Sequence, residues 1–197
     1  MNPGAKYYIL NDTNAFNEVD YEAALRNATL AGVMVGAGHF AEGMISRNTA
    51  TPRNEDLYDG DVYTGGRTEQ ELKSLAEDPA HYGSTREIDI LKGEHEAKIG
   101  LDLEERGALK SIRRDPTGKA EFIDEYGQAW DVKSFNSNYK PNKGGFRLDK
   151  ALKTIRTSLG EGEKVIVDTT NMSYEHISEL KAAITSLGMD NDVIYWP

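Results

Sequence analysis

At 197 residues the chain is long enough for one sizeable core, or one core with a smaller appendage. It has no cysteine, which excludes disulfide frameworks and thiolate metal sites and leaves oxygen as the main donor for any metal. A net charge of −10 argues on its face against a phosphate-binding partner, yet residues 106–164 hold 13 basic side chains against 8 acidic ones, a local net of +5.

The first 85 residues read as a helical accessory region followed by a linker. Over 19–44 apolar residues recur at helical spacing with small residues at Ala31, Gly32, Gly36, Ala37 and Gly38, the pattern of a closely packed helix pair or, alternatively, of a segment that interacts with a membrane or an import receptor. The largely apolar run over 28–40 is too short and too glycine-broken to cross a bilayer, so no stable membrane span is expected. The start, MNPGAKYYILND, lacks the charged and apolar regions of a signal peptide. Residues 48–66 are rich in Asn, Asp, Thr and Gly and read as loop. The acidic run DLYDGDVY inside them lacks the spacing of a calcium loop and reads as solvated surface.

From residue 86 the pattern sharpens into a second domain, 86–197. A helix is expected from Glu87 or Gly93 to Arg106, stopped by Gly107. Strands are expected near 109–114, 119–123 and 129–135, with Asp115-Pro116-Thr117-Gly118 as a tight turn between the first two. Then come the loop SNYKPNKGG, a helix over 147–159 stopped by Gly160, a strand over 164–168, a helix over 173–187 and a strand over 192–196. That order implies an α/β or α+β fold, a mixed central sheet flanked by helices.

The segment AEFIDEYGQAWDVK carries the candidate chemistry. Alternation places Asp131 and Lys133 on one face of a strand, with Trp130 and Val132 on the other. A loop of Glu125-Tyr126-Gly127, with Gly127 left-handed, sets Glu121 across from Asp131. Facing carboxylates repel, and one lysine balances only half their charge, so a divalent cation is the expected complement. Upstream, Glu96 shares a helical stripe with Ile99, Gly100 and Leu103, where a buried acid needs a partner. A place in the first turns of its helix, complementing the dipole as Glu94 does, is the other explanation.

The motif GEHEAKIGLDLEERG, then an acid on the second strand, then Asp131-Val132-Lys133, resembles the PD-(D/E)XK nucleases, the restriction-endonuclease-like superfamily. Within it, AEFID, Gly127 and WDVKSF together resemble the nuclease toxin domains that end bacterial polymorphic toxins of the contact-dependent inhibition and Rhs types. The resemblance covers about residues 93–197. Glu121 stands where it would usually place Asp, which leaves Asp124 open as an alternative ligand. It implies a metal-dependent endonuclease with Glu96, Glu121, Asp131 and Lys133 as its catalytic set, the three acids holding Mg²⁺ or another divalent ion such as Mn²⁺ or Zn²⁺. It implies further a DNA or tRNA substrate with DNA slightly favoured, a cognate immunity protein, and delivery from the producing bacterium to act in the target-cell cytoplasm. The end of the chain just past its last strand is what the end of such an effector would give.

The helix over 147–159 sets Leu148, Leu152, Ile155 and Leu159 on one stripe. Arg147, Lys150, Lys153 and Arg156 spread over the other side, where with Lys140 and Lys143 they are placed to track a phosphate backbone. Tyr139 and Phe146 flank the loop, to pack on the sheet or to stack on bases. The histidines, at 39, 81, 95 and 176, are scattered with no two-histidine metal spacing. A noncatalytic module that binds nucleic acid or protein through a degenerate version of this fold is the alternative expectation.

Overall fold

A computed structural model describes residues 54–197, and the helix pair expected over 19–44, the loop residues 48–53 and His39 lie outside the described residues. The chain divides into two compact units that meet in sequence at Gly127 and Gln128. Helices are combined with antiparallel strand pairs in the first unit and parallel ones in the second, a mixed α+β architecture.

In the first unit the acidic run is a small hairpin, β1 (Tyr58–Asp59) and β2 (Val62–Tyr63), rather than plain loop. Gly60, at φ +58°, takes the left-handed position that a two-residue connection demands. Helix α1 (Glu69–Ala76) starts on a reciprocal cap, with Glu71 N donating to Thr68 Oγ1 and Thr68 N donating to Glu71 Oε2. Helix α2 (Glu87–Glu105) is the long one, and Gly93 permits its approach to α1, since a Cβ there would lie 1.9 Å from the Ala76 carbonyl oxygen. Its end is the expected one: Gly107 sits at φ +73°, and the Ala108 and Leu109 amides both donate to the Leu103 carbonyl.

Strands β3 (Arg113–Arg114) and β4 (Phe122–Ile123) pair antiparallel across the predicted Asp115–Gly118 turn, but each has two residues where the sequence pattern implies five or six. Side-chain hydrogen bonds shorten them. The Asp115 carboxylate accepts from the Thr117 and Ala120 amides, which takes Ala120 out of a ladder. Ser111 turns to φ +47°, and the Ile112 amide donates to Glu104 Oε2 on α2 instead of to a strand.

The second unit is a three-stranded parallel sheet, ordered β5 (Ala129–Ser134), β6 (Lys164–Asp168) and β7 (Val193–Trp196), with α3 (Leu148–Gly160) and α4 (Tyr174–Ser186) as its crossovers. These elements fall within a residue or two of their predicted bounds. Val165, Val167 and Val193 form the core with Ile155 of α3 and Leu180 and Ile184 of α4. Each such side chain contributes roughly 1.5–3 kcal/mol on burial. The buried side of α3 is centred on Ala151, Thr154, Ile155 and Ser158, with Leu148, Leu152 and Leu159 only partly buried at its margin. Gly160 is the last helical residue, and the left-handed position belongs to Gly162 at φ +86°.

Candidate active site

Parallel register fixes the surroundings of the Asp-Val-Lys tripeptide. Asp131 pairs with Val165 and Lys133 with Val167, the two valines of the helix-covered face, whereas Val132 pairs with Ile166 on the opposite face. Asp131 and Lys133 therefore do share a face, as alternation predicts. The Lys133 ammonium lies 2.5 Å from Asp131 Oδ2, and Ser158 Oγ on α3 donates to the same oxygen. Asp131 is 3 % exposed, while the Lys133 side chain keeps 19 % of its surface. A buried carboxylate with one charged and one neutral donor is held in a single orientation, and the lysine side chain beside it is not fully enclosed.

Ser158 is the residue that sequence reasoning missed. A serine next to Leu159 and three residues past Ile155 gives no pattern cue. Its one signal is a small polar side chain on the inward edge of an amphipathic helix, a position that needs a buried partner.

Glu96 and Glu121 belong to the first unit. Glu96 is buried in the middle of α2, on the predicted stripe with Ile99, Gly100 and Leu103. The helix begins at Glu87, so the dipole explanation fails: Glu96 is more than two turns inside. Its partners are Arg114 Nη2 at 2.7 Å and Lys92 Nζ at 3.2 Å. Arg114 Nε and Nη1 are buried without a hydrogen-bond acceptor, and the guanidinium carbon lies 5.8 Å from the centre of the Phe122 ring. Asp78 lies near the same cations, 3.8 Å from Arg114 and 3.9 Å from Lys92. Glu121 is partly buried just before β4, and its carbonyl accepts from the Asp115 amide. Asp124 closes the following turn, its carboxylate accepting from the Tyr126 amide and its carbonyl from Gly127, which has the expected positive φ of 80°.

The remaining candidates have structural surroundings. Phe146 is 6 % exposed and packs edge-on against Phe135 at 6.1 Å, so it belongs to the core. His176 stacks on Phe146 at 4.6 Å and is within 2.8 Å of Ser137 Oγ, and His81 is 3.1 Å from Asp78. Arg147, Lys150, Lys153 and Arg156 are exposed on α3, as are Lys140 and Lys143 before it.

No family model, curated protein or solved structure matches this chain. Among the described residues no helix is long and apolar enough to cross a membrane. Nor does any group of three or more His, Cys, Asp or Glu among them stand ready to hold a metal ion. Carboxylate oxygens are the donors a hard cation prefers, but Asp131 and Glu96 are each already neutralised by a basic side chain. A cation at Asp131 competes there with the Lys133 ammonium.

Proposed function

We propose that the chain is a nuclease that hydrolyses phosphodiester bonds, with Asp131 and Lys133 at its centre, and that its fold is the restriction-endonuclease-like one. The observation that carries this reading is the 2.5 Å approach of Lys133 to Asp131 on one strand face, the acid held by Ser158. Phosphodiester hydrolysis needs a proton acceptor or orienting group beside the attacking water and positive charge facing the phosphate. Lys133 supplies the charge and, as a three-donor ammonium, orients a phosphate oxygen or the water. Asp131 fixes where that ammonium sits and is the acid of this unit that would hold a divalent ion. Such an ion, when bound, supplies a more acidic water and neutralises charge at the phosphate. The resemblance of the motifs adds Glu96 and Glu121 to the acids to be tested. It also carries the toxin reading, with a cognate immunity protein as partner and the target-cell cytoplasm as the place of action.

The test is incubation of purified protein with plasmid DNA and with total tRNA, with Mg²⁺ or with EDTA. The expected result is metal-dependent cleavage of one polymer. Lys133→Ala and Asp131→Asn should abolish it while circular dichroism stays native, and Glu121→Gln should lower it. Absence of cleavage of both polymers overturns the reading. It would favour a noncatalytic binding module, which the burial of Asp131 supports, since an acid satisfied by Ser158 and Lys133 can also be a purely structural ion pair.

A further inference from the structure

The cations of the described residues sort into two groups. Ten of the nineteen lysines and arginines have an acid within reach, among them Arg67 with Glu104, Arg86 with Asp89, Arg106 with Asp102, Lys110 with Glu125, Arg114 with Glu96, Lys133 with Asp131 and Lys164 with Asp192. No ion pair among the described residues joins the other nine: Lys98, Arg113, Lys119 and Lys181 are scattered along the chain, whereas Lys140, Lys143, Lys150, Lys153 and Arg156 are exposed and follow one another in a single stretch. From 132 to 160 there are seven basic residues and one acid, Asp149, a net of +6 on a chain of net −10. Asp149 is taken by Arg147, whose Nη2 lies 2.6 Å from its Oδ2. Asp149 shares this face, between Lys153 and Arg156 in azimuth, and with its charge met by Arg147 the remaining cations repel one another at a cost that folding alone does not explain.

The placement is built rather than incidental. On α3, positions 150, 153 and 156 follow each other at about 4.5 Å along the axis and span about 120° of its circumference, opposite the buried Ala151, Ile155 and Ser158 edge. Ahead of the helix, the turn from Lys140 to Gly145 is closed by the Lys143 and Gly145 amides donating to the Lys140 carbonyl, at 2.8 and 3.0 Å. A Cβ on Gly145 would stand 1.9 Å from the Tyr139 carbonyl oxygen, so the turn closes only with glycine there. The Phe146 amide donates to the Asn136 carbonyl at 2.6 Å and ties this turn to the chain that leaves β5. Lys140 and Lys143 are therefore presented on a fixed turn beside the helix row.

We infer that the outward face of α3, with the turn over 140–145, is a docking surface for a nucleic-acid phosphate backbone. A row of ammonium and guanidinium groups held on rigid elements, with no aromatic side chain among them, binds evenly spaced phosphates and releases their counterions. Bases would remain unread on this face, so sequence preference is set elsewhere. The inference rests on the nucleic-acid part of the proposed function and is independent of its catalytic part.

The experiment is fluorescence anisotropy of the full chain in EDTA, with a labelled 20-nucleotide single-stranded DNA, the RNA of the same sequence, and the DNA duplex. Lys150→Glu/Lys153→Glu/Arg156→Glu should weaken binding roughly thirtyfold or more, and should lower the slope of log affinity against log salt by about 2. A control with the same change in net charge, Lys73→Glu/Lys98→Glu/Lys119→Glu, should stay within about threefold of the native protein. Circular dichroism checks both folds. The DNA and RNA arms decide which backbone is preferred. Binding in EDTA that the α3 variant weakens, with no cleavage of either polymer in Mg²⁺, removes the catalytic reading and supports the docking surface. Cleavage by the native protein with undiminished binding by the α3 variant overturns the docking surface, as does no binding at low salt. Displacement of the labelled strand by poly-L-glutamate as effectively as by unlabelled DNA assigns the face to an acidic polypeptide and also overturns it.

Discussion

Ser158 Oγ donates to Oδ2 of Asp131, the same carboxylate oxygen that the Lys133 ammonium reaches at 2.5 Å. The hydroxyl comes from a helix and the ammonium from the acid's own strand, so the contact ties α3 to β5 through a group that is 3 % exposed.

Ser158→Ala deletes one donor to a buried carboxylate and should cost about 1.5–3 kcal/mol, read as a lower urea midpoint at unchanged slope. Asp131→Asn removes the charge that both donors face and should cost at least as much. In the double variant the two losses should not add, and a coupling of about 0.5–3 kcal/mol measures the contact itself. Additive losses would mean that the hydroxyl and the carboxylate act independently.

Glu96 sits against Arg114, whose side chain is 7 % exposed and has two further donors without acceptors. Glu96→Gln leaves that buried cation with only the more distant Asp78, 3.8 Å away, and a cost of up to about 3–5 kcal/mol is expected. Arg114→Met in the same chain should restore much of the loss, because a neutral amide beside a thioether leaves no buried charge. If Glu96→Gln abolishes nuclease activity while the double variant regains stability but not cleavage, the carboxylate has a role beyond folding. Recovery of both would make its role structural.

The second unit was legible in the sequence because its signals are local and agree with one another. Val165, Ile166 and Val167 form an apolar run bounded by Lys164 and Asp168, and Ser173 caps a helix whose Leu180 and Ile184 lie four apart, with Ser173 Oγ accepting from the His176 amide. The first unit was harder to read. Helix α1 announces itself only through the Thr68–Glu71 cap, buried in a stretch whose acids and glycines look like loop. The strands on either side of Asp115 have good strand composition, but Asp115 and Glu104 capture amides that composition assigns to a ladder, and such bonds depend on tertiary approach. At the candidate site the sequence placed Asp131 and Lys133 on one face correctly. It expected a partner for the buried Glu96 and offered a metal ion; the partners are Arg114 and Lys92, eighteen residues downstream and four upstream, which nothing singles out in a chain with 23 basic side chains.

Tyr195 carries a buried hydroxyl with no hydrogen-bond partner, and burial, with a smaller contribution from Asp190, pushes its pKa up to about 12. Tyr195→Phe removes that unsatisfied group and keeps the ring over which Lys181 Nζ sits at 4.6 Å. The variant should be as stable as the native protein or up to about 1 kcal/mol more stable at neutral pH, by urea unfolding. A loss above about 1 kcal/mol would mean that the hydroxyl has a partner.

Acid sensitivity should start at the head of α2. The Asp89 carboxyl is held at about 2, first by the hydrogen bonds from Arg86, whose Nη2 lies 2.7 Å from Oδ1 and Nε 2.9 Å from Oδ2, with Ser84 Oγ as a further donor. Because the folded value lies below that of the unfolded chain, near 3.8, the contribution is complete above about pH 4 and is lost as pH falls from there towards 2. Asp89→Asn removes the titrating group but keeps an acceptor at the third position of the helix. Its stability should therefore fall less steeply than that of the native protein between pH 4 and 2, while near pH 7 it is the less stable of the two. Urea midpoints measured at half-unit steps through that window give both slopes, and parallel slopes would show that other carboxyls govern the acid limb.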